Sequence, residues 1–181
     1  MDFEFIRSEK IYKGRIINLV VDHVRYESGN EGVREVVEHP GGGAVLALFD
    51  NDDILLVRQH RYPINDFVLE LPAGKLDAGE DPQKCAEREL REETGYVASR
   101  WRKLTTIMTT PGFCNERLHI YMAQGLSQSP QGQSLEEGER TIKVLRVPLV
   151  ESLAMIERGE IVDGKTIAGI FLGERILRKS R

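Results

Sequence analysis

Three glutamates near the middle of the chain have the spacing of a site for a divalent cation. Glu89, Glu92 and Glu93 are three, four and one positions apart. On an α-helix, residues at these separations share one face, so three carboxylates would crowd together and repel one another. A cation that prefers oxygen ligands would turn this repulsion into attraction. A solvated acidic face paired with Arg88 and Arg91 is the simpler alternative.

The helix that must position these glutamates has recognisable ends. Asp81 can accept hydrogen bonds from the free N–H groups of a first helical turn. Pro82 suits the first helical position, because its missing N–H costs nothing there. Gly95 suits the left-handed residue that often ends a helix. The sequence therefore predicts a helix from about Asp81 to Thr94.

The stretch from Gly74 to Tyr96 resembles the Nudix box, the signature of the Nudix hydrolases. The matching fixed positions are Gly74, Glu80, Arg88, Glu89, Leu90, Glu92, Glu93 and Gly95. Tyr96 departs from the pattern, because the last position is more often aliphatic. The resemblance implies that Glu80 and Arg88 brace the loop against the helix.

The same resemblance implies an activity and a metal site. Nudix hydrolases cleave nucleoside diphosphates linked to another moiety and use Mg²⁺ or Mn²⁺. Carried over by position, Glu89, Glu92 and Glu93 would be metal ligands, together with the backbone carbonyl of Ala73. Glu92 is also a candidate catalytic residue.

Two further stretches are similar to the ADP-ribose pyrophosphatases, a Nudix subgroup. They are the run from Leu69 to Gly74 and the proline at position 111, fifteen residues after the box. This similarity implies hydrolysis of ADP-ribose to AMP and ribose 5-phosphate. The segment Asp163–Thr166 is also common in relatives that hydrolyse GDP-mannose, so another nucleoside diphosphate sugar stays open. A catalytically silent, nucleotide-binding regulator is the alternative of another class, although such domains usually lose box carboxylates.

Arginines near the end of a predicted strand are candidates for diphosphate binding. Arg58 and Arg61 lie close together in the sequence. A guanidinium makes planar, paired contacts with phosphate oxygens, which suits both residues to this role. Surface arginines with carboxylate partners are the alternative. Glu70, in the run into the box, is a further candidate contact with substrate.

A turn after the box supplies another group of candidates. Phe113 follows a Pro-Gly turn and offers an aromatic face to a base or ribose. A plain turn with a buried phenylalanine is the alternative. Glu116 is predicted to lie near the metals and substrate. The subgroup resemblance adds Arg25, because N-terminal strands of such enzymes lend residues to the partner's site.

A polar segment from 125 to 138 is predicted to be a flexible loop. Its acidic end carries Glu137 and Glu139. In the subgroup, a glutamate in this loop acts as the base or as a metal ligand, which makes both residues catalytic candidates, with Glu139 ahead. A mobile lid that closes over substrate would suit this segment, and a plain solvated acidic loop is the alternative.

The chain is predicted to divide near residue 40. Strands at 16–25 and 33–38 precede Pro40-Gly-Gly-Gly43, which breaks the pattern. Residues 1–40 would be a β module with too little core to stand alone, and 41–181 the hydrolase domain. The subgroup resemblance implies that the module builds a homodimer by swapping.

The remaining elements predict an α+β fold. Apolar runs at 44–49 and 54–58 flank a turn, which predicts a hairpin with both faces covered. Further strands are predicted at 67–71, 96–107 and 117–123, and helices at 148–158 and 166–177. The resemblance implies the same architecture, the Nudix fold: a helix–sheet–helix sandwich with a mixed sheet, preceded by an N-terminal antiparallel strand module.

Composition narrows the function classes. The 181 residues carry a net charge of −4, which gives no reason to expect nonspecific nucleic-acid binding. No apolar run approaches the length that spans a membrane, and the N-terminus does not resemble a secretory signal. Cys85 and Cys114 are the only cysteines, and both are predicted to be buried, reduced thiols, which favours a cytoplasmic location.

Overall fold

The computed structural model describes residues 3–180, which form two compact units. The first unit contains the chain up to Gly41 together with residues 108–117, and the second contains residues 42–107 and the chain from Leu118 onward. The first unit therefore includes a segment from the middle of the chain.

The first unit is built on an antiparallel sheet. Strands β1 (Phe3–Lys13), β2 (Asn18–Tyr26) and β3 (Glu31–Glu38) follow one another in the order β1-β2-β3. The turn between the last two includes Gly29 at φ +85°, a conformation that favours glycine. The two strands predicted in this region are confirmed, with boundaries shifted by one or two residues.

The segment 108–117 attaches to the end of β3. Val37 N donates to Phe113 O at 2.7 Å, and Asn115 N donates to Val37 O at 3.2 Å. Val37 and Cys114 form a parallel bridge. These backbone bonds explain why a segment far from β3 in the sequence belongs to the same unit.

The second unit contains two sheets and three α-helices. Its elements are β4 (Gly42–Ala47), β5 (Asp53–Arg61), β6 (Asp66–Glu70), β7 (Ala73–Lys75), α1 (Pro82–Thr94), β8 (Tyr96–Met108), β9 (Arg117–Gln128), β10 (Lys143–Pro148), α2 (Leu149–Glu157) and α3 (Gly164–Ser180), with β8 and β9 each reaching into the first unit at one end. One sheet has the order β10-β5-β6 and the other β7-β4-β9-β8. The pairing of β4 with β9 is parallel, and β4 with β7 is antiparallel, so this sheet is mixed. The predicted α+β class is confirmed.

Strand β4 separates two hydrophobic cores, because its successive side chains point to opposite faces. Ala44 and Leu46, with Leu48 just after the strand, pack with Leu149, Met155 and Ile170 of α2 and α3, together with Leu56, Ile120 and Met122. Val45 and Ala47 pack with Ala86 and Leu90 of α1, together with Leu55, Tyr121 and Ala123. Helices therefore cover both faces, which confirms the predicted helix–sheet–helix sandwich.

The predicted hairpin at 44–58 is wrong. Strands β4 and β5 lie in different sheets, and only a single bridge joins Leu48 to Ile54. The turn itself exists, with Phe49 N donating to Asp53 O at 2.8 Å. Because both strands are buried on both faces, their apolar pattern does not reveal which strand each one pairs with.

Helix α1 has the ends that the sequence predicts. Asp81 Oδ1 accepts from Gln83 N (2.9 Å) and Lys84 N (3.2 Å). Gly95 is left-handed at φ +76°, and its N–H donates to Arg91 O at 2.8 Å. These local bonds satisfy groups that a helix leaves open at its termini.

The helix packs directly on the sheet backbone at Gly43. A Cβ at this position would lie 2.9 Å from Ala86 N and 3.0 Å from Pro82 O. Only glycine allows this approach of α1 to β4 without a shift of backbone. The glutamates of α1 are thus held at a fixed height above β4 and β7. No helix among residues 3–180 combines the length and apolar character needed to cross a membrane.

Candidate active site

The loop before α1 is fixed to the helix by an ion pair with two bonds. Arg88 donates through Nε to Glu80 Oε1 and through Nη2 to Glu80 Oε2, both at 2.9 Å. Arg88 Nη2 also donates to Lys75 O at 3.1 Å. The bonds from Arg88 lower the pKa of Glu80 to about 2, and the Asp77 N–H supports the same shift. The brace implied by the box resemblance is present.

Two of the box glutamates are buried beside β7. Glu93 is 1% exposed and Glu89 is 7% exposed. Ala73 N donates to Glu93 Oε2 at 2.9 Å, so the residue predicted to supply a carbonyl ligand lies against this carboxylate. Burial, with repulsion from Glu89, raises the pKa of Glu93 to about 8. Burial also raises the pKa of Glu89 to about 7, against the attraction of Arg88.

Two arginines of α1 donate hydrogen bonds to Glu92, and one of them also donates to Glu89. Arg88 Nη1 donates to Glu89 Oε1 at 2.5 Å and to Glu92 Oε2 at 3.2 Å. Arg91 Nη2 donates to Glu92 Oε1 at 2.6 Å. Among residues 3–180, no three acidic, histidine or cysteine side chains already converge with the spacing of a metal site. The oxygens that Arg88 Nη1 contacts belong to two of the three predicted metal ligands.

The residues present nevertheless fit a divalent cation. The donors are carboxylate oxygens, the class that Mg²⁺ and Mn²⁺ prefer. Burial raises the pKa of both Glu89 and Glu93, and a bound cation would favour the ionised form of each carboxyl. The backbone of β7 closes one side of the group, since a Cβ at Gly74 would lie 1.9 Å from Glu89 Oε1.

A second carboxylate, on β6, is compensated by two cations. Glu70 is 2% exposed. Arg61 donates through Nε to Glu70 Oε1 (2.7 Å) and through Nη2 to Glu70 Oε2 (2.6 Å). Lys165 pairs with the same Oε2 and is itself 8% exposed. Arg61 also lies within electrostatic reach of Glu93, since its positive charge lowers the pKa of that residue.

The start of α3 fastens this cluster to β6. Asp163 Oδ2 accepts from Thr166 N (2.9 Å) and from Thr166 Oγ1 (2.6 Å) and lies 3.1 Å from Lys165 Nζ. Leu71 N donates to Thr166 Oγ1 at 2.8 Å. Sequence reasoning missed the contribution of Lys165 to the site. The signal available was the Asp163–Thr166 segment, which we used only as an indicator of substrate preference.

Arg58, the other arginine predicted to bind the diphosphate, contacts an aromatic ring. The Arg58 guanidinium stacks over the ring of Phe67 at 3.7 Å from its centroid, in the geometry of a cation–π contact. His60 meets the same ring edge-on at 5.3 Å. A direct contact of Arg58 with substrate stays a prediction.

Of the two loop glutamates, Glu139 is the one that acts on the buried pair. Its charge contributes to the raised pKa of both Glu89 and Glu93. Its Oε2 accepts from Glu136 N at 3.0 Å within a short 3₁₀ turn. Glu137 is exposed and pairs with Arg140 at 2.7 Å. Of the two predicted catalytic glutamates of this loop, Glu139 is therefore the one within electrostatic reach of the buried pair.

Three predicted substrate contacts belong to the first unit. Arg25 donates to Glu31 at 3.0 Å. Phe113 is 55% exposed, so within its own unit it is not a buried core residue. Glu116 accepts from Thr109 Oγ1 at 2.8 Å and lies 3.1 Å from His39 Nδ1. Their participation in substrate binding stays a prediction.

Comparison with known proteins identifies the family. The family model described as "NUDIX domain" matches residues 39–168. The ADP-ribose pyrophosphatase of Bacillus subtilis (strain 168) is 41% identical over 165 residues, covering 91% of this chain and 89% of that protein. The "methanol dehydrogenase activator" of Bacillus methanolicus is 40% identical over 165 residues, with the same coverage of both chains.

A more distant relative and a solved structure extend the comparison. The GDP-mannose pyrophosphatase of Yersinia enterocolitica serotype O:8 is 34% identical over 143 residues, covering 75% of this chain and 74% of that protein. A crystal structure described as an ADP compounds hydrolase superposes with a TM-score of 0.85 at 20% identity, covering 99% of this chain and 96% of that one. The family match, these relatives and the sandwich around α1 agree: this chain belongs to the Nudix family.

Proposed function

We propose that this protein is a metal-dependent pyrophosphatase that hydrolyses ADP-ribose to AMP and ribose 5-phosphate. The observation that carries the proposal is the buried pair Glu89 and Glu93 on the box helix, with Glu139 in electrostatic reach of both. The relatives named ADP-ribose pyrophosphatase support the choice of substrate.

The proposed cofactor is Mg²⁺, with Mn²⁺ as the alternative. Glu89, Glu92, Glu93 and the Ala73 carbonyl would hold it. When bound, such a cation neutralises charge on the diphosphate and makes water a better nucleophile. The role of Arg88 is then to keep Glu89 and Glu92 in place through the bonds from its Nη1.

Proton removal from the attacking water falls to Glu139 in this proposal. The water oxygen attacks one phosphorus of the diphosphate, its proton passes to the Glu139 carboxylate, and the bond from phosphorus to the bridging oxygen breaks. The leaving phosphate departs with the bridging oxygen. Glu137 is the weaker candidate for the base, because it is exposed and paired with Arg140.

Arg61 is proposed to bind the diphosphate. Glu70 holds the guanidinium through Nε and Nη2, and within residues 3–180 Nη1 makes no hydrogen bond, so it can donate to a phosphate oxygen. Fixing the arginine in advance reduces the conformational entropy lost on binding. We assign Glu70 the part of orienting Arg61.

Two alternatives remain in the proposal. A preference for GDP-mannose or another nucleoside diphosphate sugar would keep the mechanism, and the relatives named GDP-mannose pyrophosphatase support it. A nucleotide-binding regulator without turnover is the alternative of another class, and a relative named for activation of another enzyme gives it a specific reason. The complete set of box glutamates favours catalysis.

The test is product release from ADP-ribose with Mg²⁺ or Mn²⁺, beside GDP-mannose, ADP-glucose and NADH. We expect AMP and ribose 5-phosphate, preference for ADP-ribose, and loss of turnover in Glu93→Gln. A preference for GDP-mannose would keep the proposed mechanism and change the proposed substrate. Tight nucleotide binding with no turnover of any of the four compounds would reject the proposed enzyme activity and support the nucleotide-binding regulator.

We further propose a homodimer formed through the N-terminal sheet, in a cytoplasmic setting. Phe5, Ile11 and Tyr12 of β1 are each more than half exposed in the single chain, and burial of such side chains would stabilise an interface. Sedimentation of wild type and Phe5→Glu tests the dimer.

The proposed cytoplasmic setting is supported by the two cysteines. Cys85 and Cys114 are free thiols, which suits a reducing compartment. Cys85 is buried as predicted, whereas Cys114 is half-buried.

A further inference from the structure

The polar segment that leads to Glu139 is fastened to the C-terminal end of α1. Ser134 N donates to Glu92 O at 2.9 Å. The side-chain amide of Gln133 donates to Glu93 O at 2.5 Å. Strand β9 continues five residues beyond its predicted end, so the free segment is shorter than expected, and we call residues 129–139 the strap.

These bonds use carbonyl groups that a helix cannot satisfy by itself. The last four carbonyls of an α-helix have no partner within the helix. The strap supplies donors to those of Glu92 and Glu93, and Ser129 N donates to Gly95 O at 2.8 Å. The strap is therefore joined to the same two residues whose carboxylates are proposed metal ligands.

The other end of the strap is also held. Ile142 N donates to Glu139 O at 2.8 Å, and the Ile142 side chain is only 7% exposed. Strand β10 follows at once and pairs with β5. Glu139 thus lies between an anchor on α1 and an anchor in the sheet.

We propose that Gln133 is a positioning residue, which sets the placement of Glu139 relative to Glu89 and Glu93 by holding the strap on α1. This inference rests on the proposed function, because Glu139 is the proposed base. Gln133 touches neither substrate nor metal ligand oxygens in the proposal. It acts through the backbone of Glu93.

Gln133 is the part of the anchor that can be removed selectively. The bonds from Ser129 and Ser134 come from the backbone, so side-chain substitution leaves them in place. Gln133 is an exposed residue whose amide makes one bond, and replacing it therefore leaves both hydrophobic cores intact. Loss of this bond would loosen the strap without unfolding the chain.

The experiment compares Gln133→Leu with Gln131→Leu. Gln131 is an exposed strap residue two positions away, and its backbone N–H makes the local bond to Ser129 Oγ. We expect Gln133→Leu to lower kcat about ten- to a hundredfold, the range for a catalytic group displaced by up to about 1 Å. We expect KM and the melting temperature to stay near wild type, and Gln131→Leu to behave like wild type.

A double-mutant cycle shows whether the effect passes through Glu139. In the Glu139→Gln background, Gln133→Leu should lower kcat by less than about twofold, since the group it positions is already gone. An undiminished effect in that background would overturn the proposal, as would wild-type kcat for Gln133→Leu alone.

Amide hydrogen exchange separates this inference from the proposed activity. Without substrate or metal, Gln133→Leu should speed exchange in residues 129–139 relative to Gln131→Leu, because local opening becomes easier. Unchanged exchange would overturn the anchoring role even if the enzyme is active. Faster exchange in a protein with no turnover of any nucleoside diphosphate sugar would leave the anchor standing and reject the proposed function.

Discussion

Two groups of buried glutamates in the second unit differ in how their charge is compensated. Glu70 is 2% exposed and receives bonds from Arg61 and Lys165. Burial opposes its ionisation, yet these two cations outweigh burial and lower its pKa. Glu89 and Glu93 are buried to a similar degree, and their pKa values rise to about 7 and about 8.

The difference lies in how many cationic partners each buried carboxylate has within the chain. A buried charge is tolerated when it is paired and hydrogen-bonded. Glu70 meets that condition within the chain. Glu93 has one bond from a backbone N–H and the attraction of Arg61, but burial and the repulsion of Glu89 outweigh both and raise its pKa.

The largest effect is expected for Glu93→Gln on catalysis. Loss of the charge of this proposed metal ligand should reduce kcat/KM about a thousandfold, since charge stabilisation by a cation contributes several kcal/mol. Steady-state kinetics of AMP release measures this. The matched control is Glu87→Gln on the same helix, whose side chain bonds Lys84 and Gln83. Near-normal metal-dependent activity in Glu93→Gln would remove the ligand assignment.

Glu70→Gln should act on stability as well as on the orientation of Arg61. Removing this charge leaves the buried Lys165 with Asp163 as its remaining ion-pair partner among residues 3–180, and it removes the anionic partner of Arg61. Breaking a buried pair on one side costs about 3 kcal/mol of unfolding free energy. Denaturant unfolding of the metal-free protein measures it, with Glu93→Gln as the control that should unfold no more easily than wild type. Equal destabilisation by both variants would mean that Glu70 and Glu93 do not differ in their contribution to stability.

The melting temperature of the metal-free protein should depend on pH through the raised pKa of Glu93. A carboxylate with a raised folded pKa favours folding less as it ionises, so stability falls as pH rises from about 4.5 through 8. We expect the melting temperature of wild type to fall more than that of Glu93→Gln over pH 5 to 9. Parallel curves would mean that Glu93 titrates normally.

The smallest effect concerns Glu80 on the box loop. Its pKa is lowered to about 2, so its contribution to stability is present above about pH 4.5 and is lost as pH falls towards 2. Glu80→Gln should destabilise the protein by about 1–2 kcal/mol at pH 7. At pH 2 the two proteins should unfold alike. Thermal unfolding at both pH values measures the difference.

Local signals in the sequence predicted local structure well. The ends of α1 follow from Asp81, Pro82 and Gly95, whose effects operate within one turn. The spacing of Glu89, Glu92 and Glu93 placed them on one helix, which the structure contains. What the spacing could not predict is that Glu93 would be almost wholly buried while Glu92 would face two arginines.

Non-local pairing was the part that the sequence did not determine. The runs at 44–49 and 54–58 were predicted to pair as a hairpin, yet each joins a different sheet, because uniform apolar strands carry no marker of their neighbours. For the same reason the bonds from Gln133 and Lys165 to distant residues were missed. Both side chains are polar, and only the fold brings them to their partners.

The position of β4 between the two cores has a consequence for unfolding. Alternate residues of this one strand belong to the core under α1 and to the core under α2 and α3. Neither core can melt while the other keeps β4 in its sheet. The second unit should therefore unfold in one all-or-none transition, with equal calorimetric and van't Hoff enthalpies. A cavity made far away, beneath α3, would then lower the temperature at which the glutamates of α1 lose their arrangement.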